Sequence, residues 1–124
     1  MHPTPAELEV LQIIWEHGPC TVRQVMELLE PIRPRAYTSV MSLMNVMAEK
    51  GQLHQKPKWR AFMYSAKVSR EKTQAVLVRD LLNRAFGGSA NALVAQLLQQ
   101  THPTGEELEA IRKTISDYKR KKGE

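Results

Sequence analysis

The chain has a single cysteine, Cys20, so no disulfide can form within it and a disulfide-stapled secreted scaffold is excluded. No apolar run approaches the ~18 residues that a membrane-spanning helix needs. The opening Met1-His2-Pro3-Thr4-Pro5-Ala6-Glu7 has no signal-peptide pattern, and the expectation is a soluble, cytoplasmic protein. Its histidines, His2, His17, His54 and His102, are scattered, and none sits with cysteine or paired carboxylates at a metal-ligand spacing. No glycine-rich phosphate loop exists either: Gly87-Gly88 lacks the following lysine and reads as a helix break. Neither an enzyme nor a cofactor or metal site is expected.

What is present is a chain of 124 residues with an ordinary charged fraction of 25%, which argues against wholesale disorder. That length fits one domain, or one small domain with an appendage, and hides roughly two-thirds of the unfolded surface on folding. Eighteen Lys and Arg against thirteen Asp and Glu leave a formal charge of +5. The distribution says more than the sum. Residues 33–60 carry Arg33, Arg35, Lys50, Lys56, Lys58 and Arg60 against Glu49 alone, whereas the first 32 residues carry Arg23 against Glu7, Glu9, Glu16, Glu27 and Glu30. A segregated positive surface is the footprint of a polyanion binder, although a solvated basic face gives the same count.

Thr4-Pro5-Ala6-Glu7 has capping-box spacing with proline at the first helical position. Leu8, Leu11 and Trp15, widened by Ile14, place one face of that helix in a core, and Gly18-Pro19 ends it. Thr21-Val22-Arg23-Gln24 repeats the capping pattern; Val22, Val25, Met26 and Leu29 form the next stripe, closed by Pro31 and Pro34. A third helix is expected from about Arg35 to Lys50, with Val40, Leu43, Met44 and Met47 on one side. Thr38, Ser42 and Asn45 fall opposite, with Met41 at the edge: short hydrogen-bonding groups where a solvated face normally carries Glu and Lys. Leu53-His54-Gln55-Lys56 and Ala61-Phe62-Met63-Tyr64-Ser65 then flank Pro57-Lys58-Trp59-Arg60, which reads as a β-hairpin with a basic tip. Helix, helix, helix, hairpin is the order of a winged helix-turn-helix.

DNA binding draws affinity from phosphate contacts and specificity from side chains that reach base edges in the major groove. The third helix offers both, which makes Arg35, Tyr37, Thr38, Ser39, Ser42 and Asn45 candidate contacts, with Asn45 suited to adenine. Lys58, Trp59 and Arg60 at the hairpin tip would lie beside the backbone or in the minor groove. Trp59 can instead pack inward, and Thr38 can instead cap its helix. Cys20, in a turn between helices, reads as structural or incidental, with redox sensing as the alternative.

Beyond Ser65 the pattern changes, giving a winged-helix domain over 1–67 and a helical domain over 68–124. A fourth helix, about Ser69 to Phe86, has a wide apolar stripe including Val78, Leu81, Leu82 and Phe86. A fifth, capped by Ser89, carries Leu93, Val94, Leu97 and Leu98; a sixth, opened by Thr104-Gly105-Glu106-Glu107, carries Leu108, Ile111, Ile115 and Tyr118 as a narrow seam. Three such helices cannot easily bury this surface among themselves. A second copy of the chain is the simplest supplier, the alternative being a fold-back onto the first domain.

Several stretches resemble the penicillinase-repressor (BlaI/MecI) family of bacterial winged-helix repressors. They are Thr4-Pro5-Ala6-Glu7-Leu8-Glu9-Val10-Leu11 with Ile14-Trp15, Thr21-Val22-Arg23-Gln24-Val25, Ala36-Tyr37-Thr38-Ser39-Val40 and Glu49-Lys50-Gly51. Phe62-Met63-Tyr64-Ser65, Val68-Ser69-Arg70-Glu71, Phe86-Gly87-Gly88-Ser89, Leu93-Val94 and Thr104-Gly105-Glu106-Glu107-Leu108 continue the match in the family's order. The resemblance implies a homodimer whose winged helices bind a palindromic operator in double-stranded DNA while the C-terminal helices dimerise. It also implies repression relieved through a membrane sensor protease pathway that cuts an Asn-Phe pair in the fifth helix. Gln96-Leu97 stand at that position here, and Val46 stands where an arginine is common. The clustered C-terminal cysteines of a copper-responsive branch are absent. Two other classes stay open: a winged-helix module that binds protein rather than DNA, and a ligand or metal sensor with a pocket between modules.

Overall fold

The computed structural model describes residues 2–123. Along them run α1 (Pro5–His17), α2 (Val22–Leu29), α3 (Tyr37–Glu49), β1 (Leu53–Lys58), β2 (Ala61–Ala66), α4 (Arg70–Phe86), α5 (Ala90–Thr101) and α6 (Gly105–Lys121). The chain is mainly α-helical, with three helices followed by a hairpin wing as the residue pattern predicts. Two compact units result, one ending at Arg79 and the other beginning at Asp80.

Local hydrogen bonding sets the first two helices. The Thr4 hydroxyl accepts from the Glu7 amide at 3.2 Å, and the Glu7 carboxylate accepts from the Thr4 amide at 2.9 Å. Thr21 and Gln24 do the same at 3.2 and 2.8 Å. Each box satisfies donors that a helix start leaves orphaned, worth about 1 kcal/mol per cap. Gly18 then takes φ 82° and donates to the Ile14 carbonyl at 2.8 Å, a conformation glycine adopts without Cβ strain.

The core joins Val10, Leu11, Ile13 and Ile14 of α1, Val22, Val25 and Leu29 of α2, and Val40, Met44 and Met47 of α3, closed by Cys20, Leu53 and Tyr64. One expectation shifts: on α1 the buried centre is Val10, Leu11 and Ile14, while Leu8 and Trp15 are only half-buried at its margin. Trp15 sits there because its indole N–H needs an acceptor, and it finds the Val68 carbonyl at 3.0 Å. Arg70 stacks on the same ring at 5.9 Å and Thr73 is buried, so the first turn of α4 belongs to the first unit.

Glu7 does more than cap. Its carboxylate is 2% exposed and receives Lys50 Nζ at 2.7 Å and Gln52 Nε2 at 3.2 Å, fastening the start of α1 to the end of α3. Burial alone pushes this carboxyl up, but the bonds from Lys50, Thr4 and Gln52 outweigh it and hold the group below its ordinary range.

The wing is an antiparallel pair from Leu53↔Ala66 to Lys58↔Ala61, which leaves Trp59-Arg60 as a two-residue loop. Alternation puts Leu53, Gln55 and Pro57 on one face with Ala66, Tyr64 and Phe62, and His54, Lys56 and Lys58 on the other. Backbone bonds from Cys20 N to Tyr64 O at 3.0 Å and Tyr64 N to Cys20 O at 2.8 Å bind β2 to the α1–α2 turn.

In the second unit, α5 and α6 bury no side chain fully. Leu82, Phe86, Leu93, Leu98 and Ile111 are half-buried, while Leu81, Val94, Leu97, Leu108, Ile115 and Tyr118 are exposed. Ser89 and Thr104 cap α5 and α6 through the Ala92 and Glu107 amides at 3.1 and 3.2 Å. Among the described residues no helix is long and apolar enough to cross a membrane.

Candidate nucleic-acid interface

α3 presents two chemically distinct sides. Val40, Met44 and Met47 are fully buried against α1 and α2, whereas Tyr37, Thr38, Ser39, Met41, Ser42, Asn45 and Val46 are exposed. The exposed set is short and polar at its centre, Thr38, Ser42 and Asn45, with Met41 and Val46 at the edges. Such groups reach a surface pressed against the helix without the entropic cost of ordering long side chains. Ala36 is the N-cap and supplies no side-chain acceptor, so Thr38 does not cap this helix. The first-turn amides of α3 therefore keep the positive end of the helix dipole available to an anion.

Asn45 is tied down. Tyr64 donates its hydroxyl hydrogen to Asn45 Oδ1 at 2.9 Å, and Gln55 Nε2 reaches the same oxygen at 3.3 Å and the Tyr64 hydroxyl at 2.8 Å. Bidentate adenine pairing uses that oxygen as an acceptor. Both its lone pairs are engaged within the protein, which leaves Nδ2 as the end of the amide directed to solvent chemistry.

Between α3, the start of α2 and the wing lies a groove of about 450 Å³ lined by Arg23, Tyr37, Met41, Asn45, Arg60 and Phe62 among others. Three sequence candidates, Tyr37, Asn45 and Arg60, thus meet on one surface. Arg23 stacks over the Tyr37 ring at 5.4 Å, a cation that sequence reasoning passed over because it lies on α2. Gln55 and Tyr64 on the wing are not legible either, since their link to α3 exists only once the wing folds back.

The cations divide into held and unheld. Arg33 Nε lies 2.8 Å and Arg35 Nη2 3.5 Å from the Glu9 carboxylate. The Arg33 hydrogen bond leads the forces that lower the Glu9 pKa, against a smaller opposing effect of burial. Glu9 therefore competes with phosphate for both guanidinium groups. Lys56, Lys58 and Arg60 are exposed on the wing. Trp59 does not pack inward: it is 97% exposed, so the core alternative is ruled out, and its φ is 57°. A left-handed backbone costs a residue with a Cβ about 1–2 kcal/mol, and this indole recovers none of it by packing.

Cys20 is buried, its thiol donates to the Gly18 carbonyl at 3.3 Å, and burial pushes its pKa up, all of which disfavour the reactive thiolate. Among the described residues no group of His, Cys, Asp and Glu could hold a metal ion.

Comparison with known proteins bears on the fold and the family. The solution structure of the DNA binding domain of the repressor BlaI aligns with a TM-score of 0.50 at 24% identity, covering 54% of this chain and 82% of that one. The penicillinase repressor of Bacillus licheniformis is 25% identical over 119 residues, 96% of this chain and 93% of that protein. A transcriptional regulator BlaI of Mycobacterium tuberculosis is 31% identical over 113 residues, 90% of this chain and 80% of the relative. The model of the penicillinase repressor family matches residues 3–117, nearly the whole length. The chain belongs to the penicillinase repressor family.

Proposed function

We propose that the chain is a DNA-binding transcriptional repressor that acts as a homodimer on an inverted-repeat operator. Its family is one of transcriptional regulators rather than enzymes. The observation that carries the reading is the exposed polar face of α3, with Thr38 and Ser42 open to solvent directly opposite the buried Val40, Met44 and Met47. In this reading α3 lies in the major groove. Thr38 and Ser42 contact base edges, Tyr37, Ser39 and the α3 amides meet phosphate, and Asn45 offers only its N–H to a base. Lys58 and Arg60 contact the backbone from the wing, and Arg35 joins them when phosphate displaces Glu9.

Two copies would associate through α4 to α6, using the exposed Val78, Leu81, Val94, Leu97, Leu108 and Ile115 with the half-buried Leu82, Phe86, Leu93, Leu98 and Ile111. A two-fold protein favours half-sites about one helical turn, or a multiple, apart. Release by cleavage at the family's Asn-Phe pair does not carry over to Gln96-Leu97. The repressor would work in the cytoplasm, where its operator is.

The test is a salt titration combined with footprinting on DNA fragments bound by the full chain. Counterion release makes log affinity fall linearly and steeply with log salt. A symmetric pair of protected half-sites and a steep slope support the reading. Salt-insensitive association would favour a protein-binding module instead, and uniform protection without symmetry a DNA binder that does not read an operator.

A further inference from the structure

The wing tip holds a residue the fold does not use. Trp59 occupies the first position of the two-residue loop with φ 57°, where glycine, asparagine or aspartate is the usual choice. It is also 97% exposed, so the largest side chain in the repertoire lies in water on a strained backbone. Neither backbone preference nor packing explains it, and unpaid strain of this kind points toward a function.

Its surroundings narrow what that function is. Lys58 and Arg60 flank it, and Lys56 shares the Lys58 face of β1. Just below the tip Pro57 pairs with Phe62, which stiffens the end of the hairpin. At the third of the six pairs, the bonds joining Asn45, Tyr64 and Gln55 fix the wing against α3. The strands that carry the loop are therefore held at a set position relative to the polar face of α3, and the exposed indole projects from their end. Beyond that anchor the outer three pairs project about 10 Å before the two-residue loop adds its own length, comparable with the ~12 Å width of the major groove. With α3 in that groove, a wing of this reach is long enough to bring the tip to the bordering phosphates and the edge of the neighbouring minor groove.

We infer that Trp59 is a wedge: its indole enters the minor groove beside each half-site, partly unstacks one base step and bends the duplex toward the major groove. Lys58 and Arg60 hold the phosphates on either side of the opened step. Apolar wedges of this type kink DNA by about 20–90° in other minor-groove binders. The favoured target is a pyrimidine–purine step, TA or CA/TG, because those steps unstack most easily. The inference rests on the DNA-binding reading and adds a bending activity to it.

The test uses the full chain and duplexes drawn by it from a random-sequence pool. Three measurements are made: DNA bend by circular permutation, affinity, and Trp59 emission in a Trp15→Phe background. Trp59→Ala and Trp59→Gly serve as variants, and because glycine suits the positive φ, W59G is expected to melt no lower than the parent. The wedge predicts that emission shifts on binding, that both variants lose the bend, and that affinity for intact duplex falls about tenfold. A mismatch at the wedge step, which supplies the unstacking beforehand, should restore most of that affinity to W59A. Unchanged emission overturns the wedge and leaves the DNA reading standing, and so does a shift in emission with the bend intact. If the chain draws no duplex from the pool, both fall together.

Discussion

Tyr64 on β2 donates its phenolic hydrogen to Asn45 on α3 at 2.9 Å, and Gln55 on β1 bonds to both. Tyr64 is also buried and bonded through its backbone to Cys20, so three elements, the α1–α2 turn, the wing and α3, converge on one residue. The consequence is mechanical. On the proposed reading, in which α3 reads DNA and the wing grips it, the two act in one register only if their separation is fixed, and this hydroxyl helps to fix it.

Tyr64→Phe removes the hydroxyl while keeping the ring. It should lower stability by about 1 kcal/mol, the usual net value of one hydrogen bond. Asn45→Ala should cost a similar amount, and the double variant should cost less than the sum, because both changes break the same contact. Denaturant unfolding of the two single variants and the double variant measures this directly. Fully additive losses would mean that the bond does not couple the two residues.

On DNA, substitutions should separate by location. Thr38→Ala and Ser42→Ala should each change preference at particular base pairs, by roughly 1–3 kcal/mol where a direct contact is lost. Lys58→Ala and Arg60→Ala should weaken binding to all sequences and reduce the salt slope by about one unit each. Asn45→Ala should behave partly like the second group, since its oxygen serves the wing. Competition binding against randomised duplexes at several salt concentrations distinguishes these patterns. Equal weakening on operator and random DNA after the Thr38 and Ser42 changes would remove α3's hydroxyls from the readout.

The fold should lose stability in acid through Glu7. Its folded-state pKa lies below the ordinary carboxylate value, so the unfolded chain binds its proton first as pH falls. The stabilisation is complete above the ordinary value and disappears as pH drops through the lowered one, from about pH 5 downward. Glu7→Gln should therefore reduce stability near neutrality and flatten this acid limb, measured as melting temperature against pH. Glu9→Gln should flatten it less, because its Arg33 partner is exposed and an ion pair in water contributes little. An E7Q profile parallel to the parent's would assign the acid limb elsewhere.

What could be read from sequence depended on how far apart the interacting residues lie. The capping boxes of Thr4 with Glu7 and Thr21 with Gln24 span three residues, so spacing alone specified them. The two sides of α3 followed from helical period in the same way. Tertiary partners did not. Glu9 captures Arg33 and Arg35 across 24 and 26 positions, which turns the candidate contact Arg35 and its neighbour toward a carboxylate. The oxygen of Asn45 is claimed from β2, 19 residues on, and no local pattern announces that. Trp59 was ambiguous because an indole in a hairpin packs inward or outward according to register. With Lys58 paired to Ala61, it falls in the loop itself and can only point away. Of the Leu8, Leu11, Ile14 and Trp15 stripe on α1, Leu11 and Ile14 are buried as the spacing predicts, and Val10 and Ile13 join them because α1 packs on α2, α3 and β2 at once.

Association should depend on the second unit. On α5 and α6, Leu97 is 50% and Ile115 54% exposed, and neither helix buries any side chain fully. Apolar surface of this extent, recurring at helical spacing, is what an interface between subunits requires. The full chain is therefore expected to sediment at twice its mass of 14.2 kDa, and Leu97→Asp or Ile115→Asp to shift it toward the monomer. A chain ending at Arg79 keeps the Trp15–Val68 bond and the buried Thr73, so it should stay folded, sediment as a monomer and bind single half-sites weakly. Circular dichroism verifies the fold and sedimentation velocity the mass. If the truncated chain still paired, the contact surface would lie in the winged helix, and α4 to α6 would need another partner for their exposed side chains.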